Sequence, residues 1–327
     1  MAGRSPTRRG ARTARCLSAS VPGRRTTASA STSRTGRLPV SEPFPRGLRL
    51  TAPAKLNLWL HVNGRREDGY HLLQTVFHLL DWGDRLVLRR REDGRIVRQG
   101  GLAEVTEEDD LAIRAARLLQ AESGIDAGAD IEVEKRIPAG AGLGGGSSDA
   151  ATVLLGLNRL WGLEWPVRRL AGLGLHLGAD VPVFVAGRSA FAEGVGEALT
   201  PVDLPEQWYV VVWPGIPVAT AAVFQAPELT RNTPALTISA LSGTPETRND
   251  LQPVAIRLCP AIGESLAWLS QWGQARMSGS GSAVFLPVVD EDTARGIVRD
   301  SAWPAWAVRG VNVSPTLREL EAVPGAP

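Results

Sequence analysis

Five glycines fall within the seven positions from Gly140 to Gly146, inside the run Ile137-Pro-Ala-Gly-Ala-Gly-Leu-Gly-Gly-Gly-Ser-Ser-Asp149. Glycine has no Cβ, so its backbone N–H groups can turn inward and approach an anion closely. Upstream, Ile131-Glu-Val-Glu-Lys-Arg-Ile137 alternates apolar and charged residues, the pattern of a half-buried strand. Downstream, Ala150, Val153, Leu154, Leu157, Leu160 and Trp161 recur at helical spacing. The loop therefore delivers its glycines to a helix N-terminus, where unpaired N–H groups and the macrodipole favour phosphate. Strand, loop and helix together read as a phosphate cradle. A side chain at Gly145 is expected to fill the space where those N–H groups must meet phosphate oxygens.

Three other readings compete. A flexible linker would lack the strand and the apolar helix that bracket this loop. Gly140-x-Gly142-x-x-Gly145 matches the dinucleotide fingerprint, but that motif follows a continuously apolar strand, and this one carries Glu132, Glu134, Lys135 and Arg136. The Walker pattern requires Lys after the last glycine, and here Ser147 follows Gly146 directly. The cradle thus lacks a lysine of its own, and its cation must come from elsewhere in the chain. Only two of the 36 basic residues are lysine, Lys55 and Lys135. A chain that uses arginine almost everywhere keeps lysine where a compact ammonium is needed.

Composition excludes several classes. No apolar run is long enough to span a membrane, so no membrane partner is expected. The net charge is +2, but the first acidic residue is Glu42, so the positive excess sits in an Arg/Ser/Thr-rich leader. The remaining chain is mildly acidic, which argues against a nucleic-acid surface. Two cysteines, Cys16 and Cys259, support neither a disulfide framework nor a cysteine zinc site. Four histidines show no metal-helix spacing. These features suit a cytoplasmic protein, or a plastid one if the leader is a transit peptide.

The expected organisation is a disordered basic leader over 1–47, a first domain over 48–205 carrying the glycine loop, a second over 206–316, and a tail over 317–327. In the leader an over-long start, a transit peptide and a nucleic-acid arm remain open readings. In Lys55-Leu-Asn-Leu-Trp-Leu-His-Val62, period two puts Leu56, Leu58, Leu60 and Val62 on one face and Lys55, Asn57, Trp59 and His61 on the other. Such a polar face fits the wall of a site, or equally a solvated sheet face. Leu86-Val-Leu88 and Ile96-Val97 read as short strands about an Asp93-Gly94 turn. Asp109 or Asp110 caps a helix that stops near Gly124. Asp180 lies between a helix end and an apolar segment, where it is either a cap residue or a tuned acid. Helices and strands alternate from Tyr209 to Val313, which suggests an α+β second domain.

With these segments in view, the chain resembles the GHMP kinase superfamily. Pro138 to Ala151 looks like its phosphate motif and Met277 to Ala283 like its C-terminal motif. Pro53-Ala-Lys-Leu-Asn-Leu58, Arg66-Glu-Asp-Gly-Tyr-His71, Leu177-Gly-Ala-Asp-Val-Pro182 and Pro227-Glu-Leu-Thr-Arg-Asn-Thr233 resemble the members that phosphorylate a cytidyl-linked methylerythritol. The resemblance runs from about Leu50 to Val313. It implies an α+β two-domain GHMP kinase fold, with an N-terminal ribosomal protein S5 domain 2-like half and a C-terminal ferredoxin-like half. It also implies ATP-dependent phosphorylation of the 2-hydroxyl of 4-diphosphocytidyl-2-C-methyl-D-erythritol, in non-mevalonate isoprenoid synthesis.

The same resemblance implies roles for individual residues. Asp180 would be the base or orienter for the attacking hydroxyl, and Lys55 the missing cation. Pro138, Ala139, Gly140, Ala141, Gly142, Leu143, Gly144, Gly145, Gly146, Ser147 and Ser148 would hold ATP. Asn57, Gly279, Ser280 and Gly281 would contact substrate. Tyr70 and Phe224 would sandwich the cytosine, and His71 would read its polar edge. Mg²⁺ is expected to arrive with the nucleotide, with no acidic cluster to mark protein ligands for it. A monomer or homodimer is expected. Two rivals remain: an NAD-dependent oxidoreductase, and a non-catalytic relative using the leader as a nucleic-acid arm. Loss of Lys55 or Asp180 would favour the second, and both are present.

Overall fold

The computed structural model describes residues 47–100, 105–238 and 247–323. The expectation for the leader therefore lies, but for Gly47, outside the described residues. Two long antiparallel strands, β1 (Leu48–Arg65) and β2 (His71–Arg91), form the spine. The β1 register on β2 slips between Pro53 and Lys55, between Asn57 and Leu60, and between Val62 and Gly64. A one-residue slip turns every later side chain to the opposite face. Lys55, Asn57 and Leu60 consequently line one cleft, whereas Trp59 turns away to meet His61 and Phe191 at ring separations of 4.8 and 6.1 Å. The strict alternation expected over Lys55 to Val62 fails at that bulge. Nor is either face solvated, for Lys55, Asn57, Trp59 and His61 are all buried.

The strands expected about the Asp93-Gly94 turn form, but they do not pair with each other. Strand β3 (Ile96–Gly100) pairs parallel with β4 (Gly128–Glu134), which lies between it and β2. Between them runs α1 (Leu111–Ser123), capped by the Asp110 carboxylate and closed by left-handed Gly124 at φ 67°. Helix α2 (Gly145–Leu160) follows the glycine loop and is buried at every position from Ser148 to Leu157. The amphipathic pattern read from sequence is thus a central helix covered on all sides. It packs on β1, β2 and α1, and on α4 (Val181–Ala186), which follows α3 (Val167–Leu175). Two short strands, β5 (Ala190–Glu193) and β6 (Ala198–Pro201), complete this half.

The second half contains β7 (Trp208–Val212), α5 (Thr220–Gln225), α6 (Gln252–Leu258), α7 (Pro260–Leu269), β8 (Arg276–Met277), β9 (Val284–Val288), α8 (Glu291–Arg299) and β10 (Ala305–Val311). Its strands run in the order β10-β7-β9-β8. The chain then returns to the first half as α9 (Pro315–Ala322), so residues 317–322 of the expected tail are helical. Glu319 holds this helix to β1 by accepting from the Thr51 N–H at 2.6 Å and the Thr51 hydroxyl at 2.7 Å.

One edge of β2 is taken by β1 along its length. The other edge is shared by β5 at Thr75–Phe77, β10 at Leu79–Leu80 and β4 at Arg85–Arg91. The short β10 pairing makes one sheet of the two halves. Behind it, His78 Nδ1 lies 2.9 Å from the Tyr209 hydroxyl, and burial pushes the His78 pKa down to about 4. Gly310 of β10 passes so close that a Cβ there would sit 2.2 Å from His78 Cε1. Gly310→Ala is therefore expected to destabilise the fold by about 1–3 kcal/mol through overpacking of this seam. Chemical denaturation should show the loss as a lower midpoint, and an unchanged midpoint would mean that the seam yields without cost.

Candidate active site

The glycine loop lies in the wall of a cleft of about 1080 Å³, lined from both halves of the chain. Alternate loop side chains anchor it, since Ala141 and Leu143 are buried against Leu56, Leu80 and Phe285. Its backbone is bracketed as well. Lys55 N–H donates to Leu143 O at 3.0 Å, Val218 N–H to Gly140 O at 3.2 Å and Ala283 N–H to Ala141 O at 2.9 Å. Gly142 and Gly144 hold left-handed φ values of 75° and 78°. A Cβ on Gly142 would fall 2.3 Å from Ser278 O, and one on Gly144 would fall 2.8 Å from Phe184 Cζ. Gly145 differs from expectation. Its Cβ would face Ile137 at 3.1 Å and Lys135 Nζ at 3.4 Å rather than open cleft, so the more crowded positions are Gly142 and Gly144. No side chain caps α2, which leaves the N–H groups of its first turn facing the cleft without a partner of their own.

Lys55 lies directly against the loop. Its ammonium donates to Asn57 Oδ1 at 2.5 Å and Gly142 O at 3.0 Å, and stands 3.3 Å from Asp180 Oδ2. Two of the three ammonium protons are thus bonded, and Asp180 is met as an ion pair. Asp180 occupies the N-terminal end of α4, yet its side chain makes no cap bond there. It faces Lys55 instead, with its side chain 34% exposed against 4% for the lysine. The pair thus presents its carboxylate to the cleft and keeps its ammonium behind. Asn57 is fixed in turn by Nδ2 donating to Thr75 Oγ1 at 2.9 Å, and its N–H donates to Ser278 Oγ at 3.1 Å. Ser278 Oγ donates to Gly142 O at 3.0 Å, and Asn249 Nδ2 pins the same turn through Met277 O at 2.9 Å and Gly279 O at 2.8 Å. Gly279 and Ser280 line the cleft, whereas Gly281 and Ser148 are not among its lining residues.

The second lysine lies under the loop. Lys135 Nζ is bonded to Asp84 Oδ2 and, at 2.6 Å, to Asp149 Oδ2. Asp84 also accepts from the backbone N–H groups of Arg136 at 2.5 Å and Ile137 at 2.8 Å, which fixes where the chain leaves β4 for the glycines. Burial pushes the Asp149 carboxyl well above the usual carboxylate range, against the pull of Lys135. Burial opposes the Lys135 charge as well, but the two carboxylates hold its pKa above the ordinary lysine value. Sequence reasoning missed this triad because its members lie far apart along the chain. The scarcity of lysine was the one signal.

At the other end of the cleft, Tyr70 is 64% exposed and lines the opening with His71 and Phe224. The rings of His71 and Phe224 stand 5.0 Å apart at 35°. Arg231 Nε donates to His71 Nε2 at 3.0 Å, a contact the sequence did not single out. Among the described residues, no group of three or more His, Cys, Asp or Glu is placed to hold a metal ion. No helix among them is long and apolar enough to cross a membrane.

Comparison with known proteins agrees with this geometry. Residues 110–188 match the family description "GHMP kinases N terminal domain" and residues 227–300 match "GHMP kinases C terminal". The chain is 54% identical over 278 residues to the 4-diphosphocytidyl-2-C-methyl-D-erythritol kinase of Thiobacillus denitrificans, covering 84% of this chain and 98% of that one. It is 55% identical over 266 residues to the enzyme of that name from Aromatoleum aromaticum, covering 81% and 93%. A crystal structure of 4-(cytidine 5'-diphospho)-2C-methyl-D-erythritol kinase superposes with TM-score 0.70 at 41% identity, covering 80% of this chain and 99% of that one. Methanococcus jannaschii mevalonate kinase shares the fold alone, with TM-score 0.60 at 13% identity over 82% of this chain and all of that one. The two-domain α+β architecture, the glycine cradle and these relatives converge: the chain belongs to the GHMP kinases, and within them to the 4-diphosphocytidyl-2-C-methyl-D-erythritol kinase family.

Proposed function

We propose that this kinase transfers the γ-phosphoryl group of ATP to the 2-hydroxyl of 4-diphosphocytidyl-2-C-methyl-D-erythritol, giving the 2-phosphate and ADP for non-mevalonate isoprenoid synthesis. The observation that carries the reading is the Lys55–Asp180 pair, 3.3 Å apart, facing a glycine cradle across one cleft. ATP phosphates lie on the loop from Pro138 to Ser147 and the uncapped first turn of α2. The alcohol lies beside Asp180, with Asn57, Gly279 and Ser280 around it. The cytosine lies between Tyr70 and Phe224, with His71 at its edge. The bacterial source of the relatives supports a cytoplasmic enzyme.

Phosphoryl transfer needs alignment and charge stabilisation more than covalent chemistry. Asp180 accepts the hydroxyl proton as the oxygen attacks phosphorus. Lys55, held by Asn57 and Gly142, keeps that carboxylate in place and brings positive charge to the transferring group. Mg²⁺ would neutralise charge on the nucleotide phosphates. Among the described residues no group of three or more His, Cys, Asp or Glu surrounds a site for it, and phosphate oxygens and water would supply most of its coordination. The oxidoreductase alternative loses its support, since the glycine loop follows a β4 whose exit is set by charged Asp84 and Lys135.

A coupled assay of ADP release should show turnover with the cytidyl substrate and none with mevalonate, whereas the opposite preference would sink the substrate assignment. Asp180→Asn keeps the shape but cannot take the proton, so kcat should fall by about 10²–10⁴ with both KM values nearly unchanged. Lys55→Ala should cost a similar factor, and the double variant should be far less impaired than the product of the two. Strictly multiplicative losses would remove the proposed pair. Tyr70→Ala should raise KM for the cytidyl substrate by roughly ten- to a hundredfold, through the loss of about 1–3 kcal/mol of base stacking. A shift in the ATP KM instead would reverse the two ligand positions.

A further inference from the structure

We propose that Asn249 is a positioning residue for phosphoryl transfer: it holds the turn from Met277 to Gly279 against the two oxygens that place the Lys55 ammonium. The inference rests on the reaction proposed above and extends its machinery to a residue that is not among those lining the cleft. Asn249 stands on a segment whose attachment does not need its side chain. Residues 248–250 run parallel to β1 at Leu60, where the Leu60 N–H donates to Arg248 O at 3.0 Å and the Asp250 N–H to Leu60 O at 2.8 Å. The Asp250 carboxylate completes the attachment, accepting from the Val62 N–H at 2.8 Å, the Thr233 hydroxyl at 2.6 Å and Arg248 Nε at 2.7 Å. The buried Asn249 side chain is directed at the turn instead. Its Nδ2 donates to Met277 O at 2.9 Å and Gly279 O at 2.8 Å, and its Oδ1 accepts from the Leu251 N–H at 2.9 Å. Two carbonyls and one N–H thus converge on one planar group, a demand that a primary amide meets with its two donors and its acceptor.

From the turn the contacts continue to the reacting groups. Ser278 Oγ accepts from the Asn57 N–H at 3.1 Å and donates to Gly142 O at 3.0 Å. Gly279, at a left-handed φ of 56°, passes so close that a Cβ would fall 3.0 Å from Gly142 O and 3.2 Å from Asn57 Oδ1. Those are the same two oxygens that accept from Lys55 Nζ. The turn therefore backs both acceptors of the ammonium, and Asn249 holds the turn. Without the amide, the buried Met277 and Gly279 carbonyls lose this donor, and the turn is released from Asn57 and Gly142. The ammonium then settles at a new position relative to Asp180, which it meets at 3.3 Å in the intact arrangement. Misplacement of about 1 Å in such an alignment can cost on the order of a hundredfold in rate. An aspartate at this position would keep the bond from Leu251 but, when ionised, would offer no proton to either carbonyl.

The test uses the full chain and two independent readouts. Lys55 and Lys135 are the only lysines, so labelling with ¹³C,¹⁵N-lysine gives two side-chain Cε–Nζ signals, and Lys55→Ala assigns them by removing one. Asn249→Ala should move the Lys55 signal and leave that of Lys135 in place. In the coupled assay the same variant should lose about ten- to a hundredfold in kcat, with both KM values nearly unchanged. Introduced into Lys55→Ala, it should cost little more, because its effect passes through that ammonium. An unmoved Lys55 signal in folded Asn249→Ala would overturn the proposal, as would an equal loss of kcat in both backgrounds or a loss confined to the midpoint of denaturation. Asn249→Asp should behave as Asn249→Ala does, and it decides the matter if the alanine variant does not fold. Failure of both to fold would make Asn249 a folding residue and overturn the proposal too. Absence of turnover by the unmodified chain with every alcohol would sink the reaction proposed above alone, since the lysine signals are read without it.

Discussion

The Lys55 ammonium is the contact on which the cleft depends. It is buried on β1, donates to Asn57 on the same strand and to Gly142 in the glycine loop, and pairs with Asp180 at the start of α4. One charge therefore sets the distance between three pieces of chain distant in sequence. Removing one partner from such a buried group typically costs about 3–5 kcal/mol, because the remaining charge is left unpaired. The loop also needs Lys55 sterically. Gly144 passes so close that a Cβ would meet the lysine Cε at 3.2 Å. Charge placement and backbone approach are two aspects of one packing solution.

Both lysines of the chain serve this region, and arginine could replace neither. An ammonium is compact and donates in three directions, whereas a guanidinium is a wide planar fork. Lys135 fits between two carboxylates, Asp84 and Asp149, beneath the first turn of α2. That triad fixes the end of β4 and the start of the helix, so the glycines between them are suspended from two rigid points. A glycine-rich segment is entropically costly to order. Here the cost is offset by buried anchors at Ala141 and Leu143 and by hydrogen bonds from β1, the β7–α5 connection and the Ser278–Ser282 turn.

The mouth of the cleft is arranged differently. Tyr70 immediately precedes β2 and Phe224 lies in α5, and both line the cleft. Arg231, bonded to four carbonyl oxygens and one imidazole, supplies the local order that the Pro-rich stretch around Phe224 lacks. One end of the cleft is thus organised by an ion pair with a buried ammonium and the other by a partly exposed arginine.

Much of this was legible in the chain itself. The glycine run between a strand pattern and a helix pattern defined the cradle, because spacing and the absence of Cβ are local properties. The caps at Asp110 and Gly124 were equally local. The two-domain kinase architecture followed from four motifs. Tertiary structure alone decided the rest. The bulge between Asn57 and Leu60 sends Trp59 away from Lys55, and register slips are set by pairing with β2 rather than by composition. The strands about the Asp93-Gly94 turn formed as read, but that both pair with β4, from beyond α1, rather than with each other was decided by the fold. Asp84 and Asn249 carried no sequence signal, and Arg231 stood out only as a member of the motif from Pro227 to Thr233. Their value lies in acceptors and donors that only the folded chain brings within hydrogen-bond reach.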